Sequence, residues 1–142
     1  MSFAITIGTL DDLEAVPKAL PILESIGERS KCSAVEAAAK VYMGRPDCLW
    51  LVAKLDDVVV GTVLAQVRTE GVMIERVDVF VDVIAVVPEE RGTGVGERLL
   101  LVTENWAQRK GADGVLLGVP TKTPWQVPEG YEVLETIYRK KV

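Results

Sequence analysis

The sequence predicts an α+β fold with one mixed, mostly antiparallel central sheet flanked by helices. Three strand-like segments follow one another in the middle of the chain, and a strand–helix–strand unit spans Val79 to Val119. Strands joined by short turns pair antiparallel, whereas a strand–helix–strand unit gives parallel strands with a right-handed crossover. The predicted order is therefore β-α-α-β-β-β-α-β-β, within a single domain formed by residues 1–142.

The first third of the chain predicts one strand and two helices. Phe3–Ile7 is short and partly β-branched, and Thr9 followed three residues later by Asp12 is typical of a helix start. Helical spacing continues to about Ile26, and two internal prolines are expected to divide this helix into two pieces. A second helix begins at the capping box Ser33–Glu36 and ends at a glycine.

The middle of the chain is rich in strand-forming residues. Leu49–Leu55 and Val58–Val67 are strand-like, and Asp56–Asp57 between them predicts a hairpin turn. Ile74–Val87 gives the strongest strand signal, because nine of its fourteen residues are Val, Ile or Phe. A strand that is apolar on both faces belongs in the middle of a sheet.

The last third predicts a third helix and two further strands. Gly111 is expected to cap the helix at its C-terminus. Val115–Val119 and Tyr131–Arg139 are the predicted strands, and three prolines lie between them. The apolar face of the helix is formed by Val95, Leu99, Val102 and Trp106.

Composition excludes several kinds of chemistry. The chain has no histidine, which rules out a Ser-His-Asp triad, a Cys-His dyad and a His-ligated zinc site. Its two cysteines are too few for a disulfide framework, and no metal-ligand spacing is present. A net charge of −5 disfavours binding to nucleic acid, because a phosphate backbone repels an acidic protein. The N-terminus lacks a basic segment followed by a long apolar run, so a cytoplasmic protein without membrane contact is expected.

The segment Val83–Leu100 carries the clearest chemical signal. It has the pattern of a buried strand, a glycine-rich turn and an amphipathic helix. Such a turn directs successive backbone N–H groups toward one point, and the helix N-terminus adds further donors and the positive end of a dipole. Glycines at positions 92, 94 and 96 let an anion approach the backbone closely. Together these features predict a binding site for a pyrophosphate.

Three families use such a turn, and two of them do not match. A Walker loop ends in Gly-Lys-Ser/Thr, whereas Glu97 follows Gly96 here. A dinucleotide-binding fold needs a third glycine where Glu97 stands. The third pattern, Arg/Gln-x-x-Gly-x-Gly/Ala, is matched by Arg91–Gly96 and is preceded by Val86–Glu90. With this motif after a strand and before a helix, nearly the whole chain resembles the GNAT superfamily of N-acetyltransferases, above all its small members from bacteria and phages.

The resemblance implies that acetyl-CoA is the co-substrate and that two segments bind it. In this family the strand before the motif splays from the next strand, and the pantetheine arm pairs with backbone groups in the gap. By carry-over, the arm would contact Ile84, Ala85 and Val86. The pyrophosphate would contact Arg91, Gly92, Thr93, Gly94, Val95 and Gly96. The resemblance also implies that the backbone N–H of Val86 stabilises the oxyanion, and it suggests a homodimer, which is common in the family.

Acetyl transfer to an amine needs a base. Without histidine, a carboxylate or a water held by one is the expected group. Asp82 is the first candidate, because relatives often carry an acid at about this place and because it is expected on the same strand face as Ile84 and Val86. Glu75 and Asp78 are the alternatives.

The C-terminal part departs from the family pattern. Relatives usually carry a helix here whose tyrosine protonates the leaving thiolate, but Thr121–Glu129 is short, has two internal prolines and contains no tyrosine. Either Tyr131 or Tyr138 could substitute as the acid, with core packing as the alternative role of each. Two hypotheses therefore stand: an N-acetyltransferase that acts on a primary amine, or a non-catalytic module that binds CoA or a protein partner.

The acidic residues bear on the charge of the acceptor. Glu75, Asp78 and Asp82 would attract a cation, which favours a polyamine, an aminoglycoside-like compound, or the lysine or N-terminal amine of a peptide. Trp50 and Trp125 are candidates for a wall of the acceptor or pantetheine site, with core packing as the alternative.

Overall fold

Seven strands and three α-helices are found in the residues that the computed structural model describes, which are 2–20, 22–25, 28–70, 76–118, 128–134, 138 and 140–142. In chain order the elements are β1 (Phe3–Ile7), α1 (Asp12–Ala19), β2 (Ile22–Ser25), β3 (Glu28–Lys31), α2 (Cys32–Tyr42), β4 (Cys48–Leu55), β5 (Val58–Glu70), β6 (Arg76–Val86), a 3-10 turn (Pro88–Glu90), α3 (Val95–Arg109) and β7 (Gly114–Leu117). The predicted α+β class is confirmed. None of these described helices is long and apolar enough to cross a membrane.

The central sheet has five strands in the order β1-β4-β5-β6-β7. Neighbours pair antiparallel except β6 and β7, which are parallel and are joined through α3, as the strand–helix–strand pattern predicted. The apolar strand β6 lies inside the sheet, between β5 and β7, which was also predicted. The turn Asp56–Asp57 joins β4 to β5 with φ angles of 49° and 65°, a geometry that matches the twist of a hairpin.

A second, two-stranded sheet replaces the end of the first predicted helix. The expectation that helical spacing runs to Ile26 is wrong, because α1 ends at Ala19 and β2 and β3 form an antiparallel hairpin. Proline disfavours the helical conformation in the residue before it, and Leu20, which precedes Pro21, has φ −127° and ψ 62°. The hairpin places β2 beside β6.

The helices cover both faces of the central sheet. A Cβ atom built on Gly61 of β5 would lie 3.0 Å from Cδ1 of Leu99, so α3 covers the face on which Gly61 lies. Tyr42, at the end of α2, reaches the opposite face. The predicted apolar side of α3 is confirmed, since it is buried except for a partly buried Val102, and Gly111 follows the helix with φ 73°.

The tryptophans that the structure describes belong to the core. Trp50 is 3% exposed, and its Nε1 donates a 3.0 Å hydrogen bond to Oγ1 of Thr62. The Thr62 hydroxyl in turn donates to the carbonyl oxygen of Leu51 at 2.8 Å. Trp50 therefore has a core role with a satisfied indole N–H, and Trp106 is buried as well. Trp125 lies outside the described residues.

The prediction of a last strand over Tyr131–Arg139 is wrong for those of its residues that the structure describes. Residues 131–134 and 138 are not in a strand, and Tyr138 is 91% exposed. The segment begins with a turn instead: Gly130 has φ 85°, and the N–H of Tyr131 donates to the carbonyl oxygen of Pro128 at 3.1 Å. A residue whose N–H closes a turn cannot also start a strand ladder with that group.

Candidate active site

A gap in strand pairing marks the site. Strands β6 and β7 pair only between Asp78–Val81 and Gly114–Leu117. Beyond this point β6 continues through residues 82–86, while β7 ends at Leu117. Residues 82–86 of β6 therefore extend past the last described residue pair of the two strands, Val81 and Leu117, and the splaying that the resemblance implies stays a prediction.

The backbone of Val86 faces this gap. The N–H of Val87 donates to the carbonyl oxygen of Val60 in β5 at 2.9 Å. Because successive backbone groups along a strand point to opposite sides, the N–H and C=O of Val86 point away from β5. Consistent with this direction, the carbonyl oxygen of Val86 accepts a 3.2 Å hydrogen bond from Nε of Arg91. The first residue of the glycine motif is thus tied to the end of β6.

The glycine turn forms the start of α3. Gly92 and Gly94 have φ angles of 81° and 94°, a conformation that side chains other than glycine rarely adopt. Gly94 is the N-cap of α3 and no side chain caps the helix there, so the N–H groups of the first turn point out of the helix end. This end carries the positive pole of the helix dipole, which makes it a favourable place for a phosphate anion.

Gly96 differs from the other two glycines of the motif. It lies in the first turn of α3, and its φ is not in the positive range. A Cβ atom at this position would meet only Cγ2 of Val86, at 3.8 Å, which is an ordinary contact. The fold alone therefore does not require glycine here.

Gly61 brings α3 close to the sheet. It lies opposite Val86 in the β5–β6 register, and a Cβ atom there would lie 3.0 Å from the carbonyl oxygen of Ala85. Gly61 was not among the predicted site residues, although a glycine inside a β-branched strand is a known sign of close approach by another segment.

A β-bulge in β6 determines where Asp82 points. Leu64 pairs with Val83 and Ala65 pairs with Val81, so Asp82 is the extra residue. The bulge breaks the twofold alternation of side chains. As a result Asp82 contacts residues on the α2 face, whereas Ile84 and Val86 face α3. The prediction that these three residues share a face is wrong for this reason.

Three donors surround the carboxylate of Asp82. The Tyr42 hydroxyl donates to Oδ2 at 2.5 Å, and Nε2 of Gln66 lies 3.0 Å from Oδ2 and 3.2 Å from Oδ1. A guanidinium nitrogen of Arg68 lies 3.6 Å from Oδ1. Burial raises the pKa of Tyr42, and the hydrogen bond to Asp82 raises it further, so this hydroxyl keeps its proton. Sequence reasoning missed all three partners, because they come from distant parts of the chain.

The other candidate carboxylates have different surroundings. Asp78 is 2% exposed and accepts a hydrogen bond from Nε of Arg76. Glu75 lies outside the described residues. Each described acid of the predicted set is thus paired with an arginine, Asp78 with Arg76 and Asp82 with Arg68. The expected local excess of negative charge is therefore balanced in these residues.

Tyr131 lies against α3. Its hydroxyl donates a 2.8 Å hydrogen bond to Oε2 of Glu104. Burial raises the pKa of Tyr131, and the hydrogen bond to Glu104 raises it further. Glu104 is nine residues after Val95, which corresponds to about 14 Å along the helix axis from the glycine turn. The role of Tyr131 as the catalytic acid remains a prediction.

Comparison with known proteins gives the class to which this fold and site belong. The profile of the Acetyltransferase (GNAT) family matches residues 19–124, which is most of the chain. The chain therefore belongs to the GNAT family of acetyltransferases. A search of curated protein sequences finds no match.

Solved structures of other acetyltransferases share the fold over nearly the whole chain. A GNAT family acetyltransferase from Staphylococcus aureus is 15% identical with a TM-score of 0.78, and all of both chains is covered. The aminoglycoside N-acetyltransferase AAC(6')-Iy in complex with CoA is 21% identical with a TM-score of 0.71, covering 99% of this chain and 96% of the other. A ribosomal-protein-alanine N-acetyltransferase from Brucella melitensis is 17% identical with a TM-score of 0.62, covering 96% and 99%. At such low identity these likenesses show the fold alone.

Proposed function

We propose that this chain is an N-acetyltransferase that moves the acetyl group of acetyl-CoA directly to a primary amine. One observation carries the proposal. The N–H of Val86, at the end of β6, points away from β5, and the chain continues from there through the glycine turn to the N-terminus of α3, which no side chain caps. A strand edge suits the amide groups of a linear pantetheine arm, and a helix N-terminus suits a pyrophosphate. CoA contains both groups in one chain.

Each part of acetyl-CoA has residues that would hold it. Ile84, Ala85 and Val86 would line the pantetheine arm on the outer side of β6. The backbone N–H groups of the glycine turn, Gly92–Gly96, would receive the pyrophosphate. Arg91 adds a positive charge beside this turn, and a guanidinium can bond a phosphate through two N–H groups. In two related structures, an aminoglycoside N-acetyltransferase is described in complex with CoA or a CoA bisubstrate analogue.

The proposed acetyl transfer uses two groups of β6, the backbone N–H of Val86 and the carboxylate of Asp82. The amine nitrogen attacks the thioester carbonyl carbon and a C–N bond forms. The carbonyl oxygen then becomes negative, and the N–H of Val86 stabilises it. Asp82, or a water bound to it, takes the proton that the ammonium form of the acceptor must lose before its nitrogen can attack. The proton that the nitrogen loses after the attack balances the one that the leaving thiolate takes up. The C–S bond breaks next, and the CoA thiolate leaves.

The two substrates would approach from opposite faces of the sheet. Asp82 faces α2, whereas Val86 and the glycine turn lie on the α3 side. An amine bound to Asp82 would meet the thioester where the arm passes through the gap between β6 and β7. This arrangement keeps the acceptor away from the pyrophosphate.

The leaving thiolate needs a proton, and Tyr131 supplies it only if its hydroxyl exchanges Glu104 for the sulfur. This contact is the specific observation in favour of the second candidate function, a non-catalytic module that binds CoA or a protein partner. In such a module, the tyrosine would serve only to fix the C-terminal segment to α3.

Two measurements distinguish the enzyme from the module. Titration with acetyl-CoA in a calorimeter is expected to show binding, and a thiol reagent is expected to detect CoA release when an amine panel is added. Binding without any thiol release across the panel would favour the module. Absence of binding would overturn the acetyltransferase and the CoA-binding form of the module, and would leave a module that binds a protein partner.

A further inference from the structure

We propose that the acceptor is a small zwitterion of the α-amino acid class, held by Asp82 through its amine and by Arg68 through its carboxylate. This inference rests on the proposed function and names the substrate class of the same site.

Arg68 is held in place and still accessible. Its guanidinium carbon lies 4.0 Å from the centre of the Phe80 ring, and this stacking fixes the plane of the group. The side chain is 43% exposed. Its guanidinium nitrogen lies 3.6 Å from Oδ1 of Asp82, which is an ion-pair distance longer than a normal hydrogen bond. A guanidinium carries five N–H donors, so Arg68 retains donors for the two oxygens of a ligand carboxylate.

Asp82 retains hydrogen-bonding capacity for one amine. An ionised carboxylate has about four lone-pair sites on its two oxygens. Tyr42 and Gln66 donate hydrogen bonds to it, and the Arg68 contact lies near Oδ1. These donors fix the carboxylate in orientation. One further donor, the N–H of the acceptor, completes its coordination.

The spacing of these two groups selects the ligand. The nearest oxygen of Asp82 and nitrogen of Arg68 are 3.6 Å apart. Standard bond lengths place the nitrogen of an α-amino acid roughly 3 Å from its nearer carboxylate oxygen. The ammonium of such a ligand would face the Asp82 carboxylate, and its carboxylate would face the Arg68 guanidinium. Simultaneous contacts would also orient the amine toward the thioester.

Other acceptor classes fit the local charge less well. Arg68 and Arg76 carry two positive charges that balance Asp78 and Asp82, so a polyamine or aminoglycoside gains no net attraction from these four side chains. The N-terminal amine of a peptide has an amide in place of the carboxylate and cannot form an ion pair with Arg68.

A matched panel of amines tests the proposal. The amino acids alanine, leucine and phenylalanine are compared with their carboxamides and with ethylamine, isopentylamine and phenethylamine, which lack the carboxyl group. We expect kcat/KM for each amino acid to exceed that for its carboxamide by about tenfold or more, as for the loss of a contact to a charged group. The amine of a carboxamide is less basic than that of the amino acid, so a larger fraction of it is unprotonated and reactive at neutral pH. A preference for the amino acid would therefore have to come from the protein.

Substitutions of Arg68 test whether this side chain causes the preference for an amino acid over its carboxamide. Arg68→Gln is expected to lower the ratio of kcat/KM for the amino acid to kcat/KM for its carboxamide to one or below, because the carboxamide is the more reactive amine at neutral pH, and Arg68→Lys is expected to restore part of the preference. Arg109→Gln removes the same charge from the exposed end of α3 and is expected to leave the ratio unchanged. A parent protein that acetylates amines or carboxamides as well as amino acids would overturn the zwitterion proposal and leave the acetyltransferase proposal intact.

A binding measurement tests the zwitterion site if the protein shows no acetyl transfer. If no amine releases CoA from acetyl-CoA, the proposed function fails, and the protein saturated with CoA is then titrated with leucine and with leucinamide. Binding of leucine that is selective and is lost in Arg68→Gln would support the zwitterion site. Equal binding of both compounds, or binding of neither, would overturn it.

Discussion

The hydroxyl of Tyr42, the last residue of α2, donates a 2.5 Å hydrogen bond to Oδ2 of Asp82 in the bulge of β6. This bond links a helix of the N-terminal half to the proposed base. We predict that Tyr42→Phe lowers kcat by about tenfold, because Asp82 loses one of the donors that orient it. Acetyl-CoA affinity, measured by calorimetry, is expected to stay the same. An unchanged kcat would mean that Gln66 and Arg68 suffice to hold the carboxylate.

Asp82→Asn is the direct test of the base. The amide keeps the size of the side chain and removes its charge. We expect kcat at neutral pH to fall by something like the roughly 10²–10⁴-fold that general base catalysis contributes, with little change in acetyl-CoA affinity. The loss should shrink at high pH, where the free amine deprotonates without help. Normal turnover by this variant at neutral pH would exclude Asp82 and leave Glu75 as the next candidate, since Asp78 is buried against Arg76.

The glycine turn can be tested with a control at the other end of the same helix. Gly94 and Gly111 both have positive φ, at 94° and 73°, so an alanine at either position strains the backbone. We predict that both substitutions lower stability by a similar amount, about 1 kcal/mol, but that only Gly94→Ala weakens acetyl-CoA binding. Gly94→Asp should weaken it further, because it adds a negative charge. Equal affinity of the two alanine variants would place the pyrophosphate elsewhere.

The Gly96→Ala variant distinguishes an effect on stability from an effect on acetyl-CoA affinity. The fold leaves room for the new methyl group, and alanine is a better helix former than glycine by roughly 1 kcal/mol. Thermal unfolding should therefore show a variant at least as stable as the parent. Titration is nevertheless expected to show weaker acetyl-CoA binding, because the methyl group lies where a phosphate would approach the backbone. A stable variant with full affinity would show that Gly96 is not in contact with the co-substrate.

Arg91→Ala is expected to weaken CoA binding by about 1.5–3 kcal/mol, the range for hydrogen bonds to charged groups. The side chain also donates to the carbonyl oxygen of Val86, so part of the loss could come from the end of β6 rather than from a phosphate. CoA analogues shortened at the phosphates resolve this. A loss that disappears with such analogues indicates a phosphate contact, and a loss that persists indicates a structural role.

Asp12 offers a prediction about stability alone. Burial by itself would raise the pKa of this carboxyl, but the hydrogen bonds from Lys54 and from Thr9 outweigh burial and lower it. A carboxyl with a lowered folded pKa stabilises the protein above its unfolded pKa of about 3.8, and this contribution is lost as the pH falls through the folded value. Asp12→Asn should therefore lower Tm at neutral pH and have less effect in acid. Glu14→Gln, in an exposed pair with Lys18 on the same helix, should change stability by less than about 0.5 kcal/mol at any pH.

Local patterns predicted most of the fold. The contact between Thr9 and Asp12 at the start of α1, the turn Asp56–Asp57 and the apolar face of α3 were all predictable, because each depends on residues close together in sequence. The Thr9 N–H does donate to Asp12, at 2.9 Å, as the helix-start pattern required. The hairpin β2–β3 was not predicted, since a short segment of mixed polarity after a helix has similar helix and strand signals.

The surroundings of Asp82 could not be predicted in the same way. Its contacts come from Tyr42, Gln66 and Arg68, which are 40, 16 and 14 residues away in sequence. The bulge that turns Asp82 toward them depends on how β6 pairs with β5, and single-strand periodicity contains no information about pairing. The position of an acid before the glycine motif suggested a base, but only the tertiary structure places its partners.

The extra residue at Asp82 divides β6 into two halves that are rotated relative to each other. In a regular strand, with the pairing of Val83 kept as it is, Asp82 would lie beneath α3 with its charge in the apolar layer around Leu99. The insertion therefore converts a position that would tolerate only an apolar side chain into one that can hold an ion beside solvent. Deleting Asp82 would leave Val81 opposite Ala65 and Val83 opposite Leu64, so both halves of the strand would keep their present faces and the strand would lose its bulge together with its carboxylate.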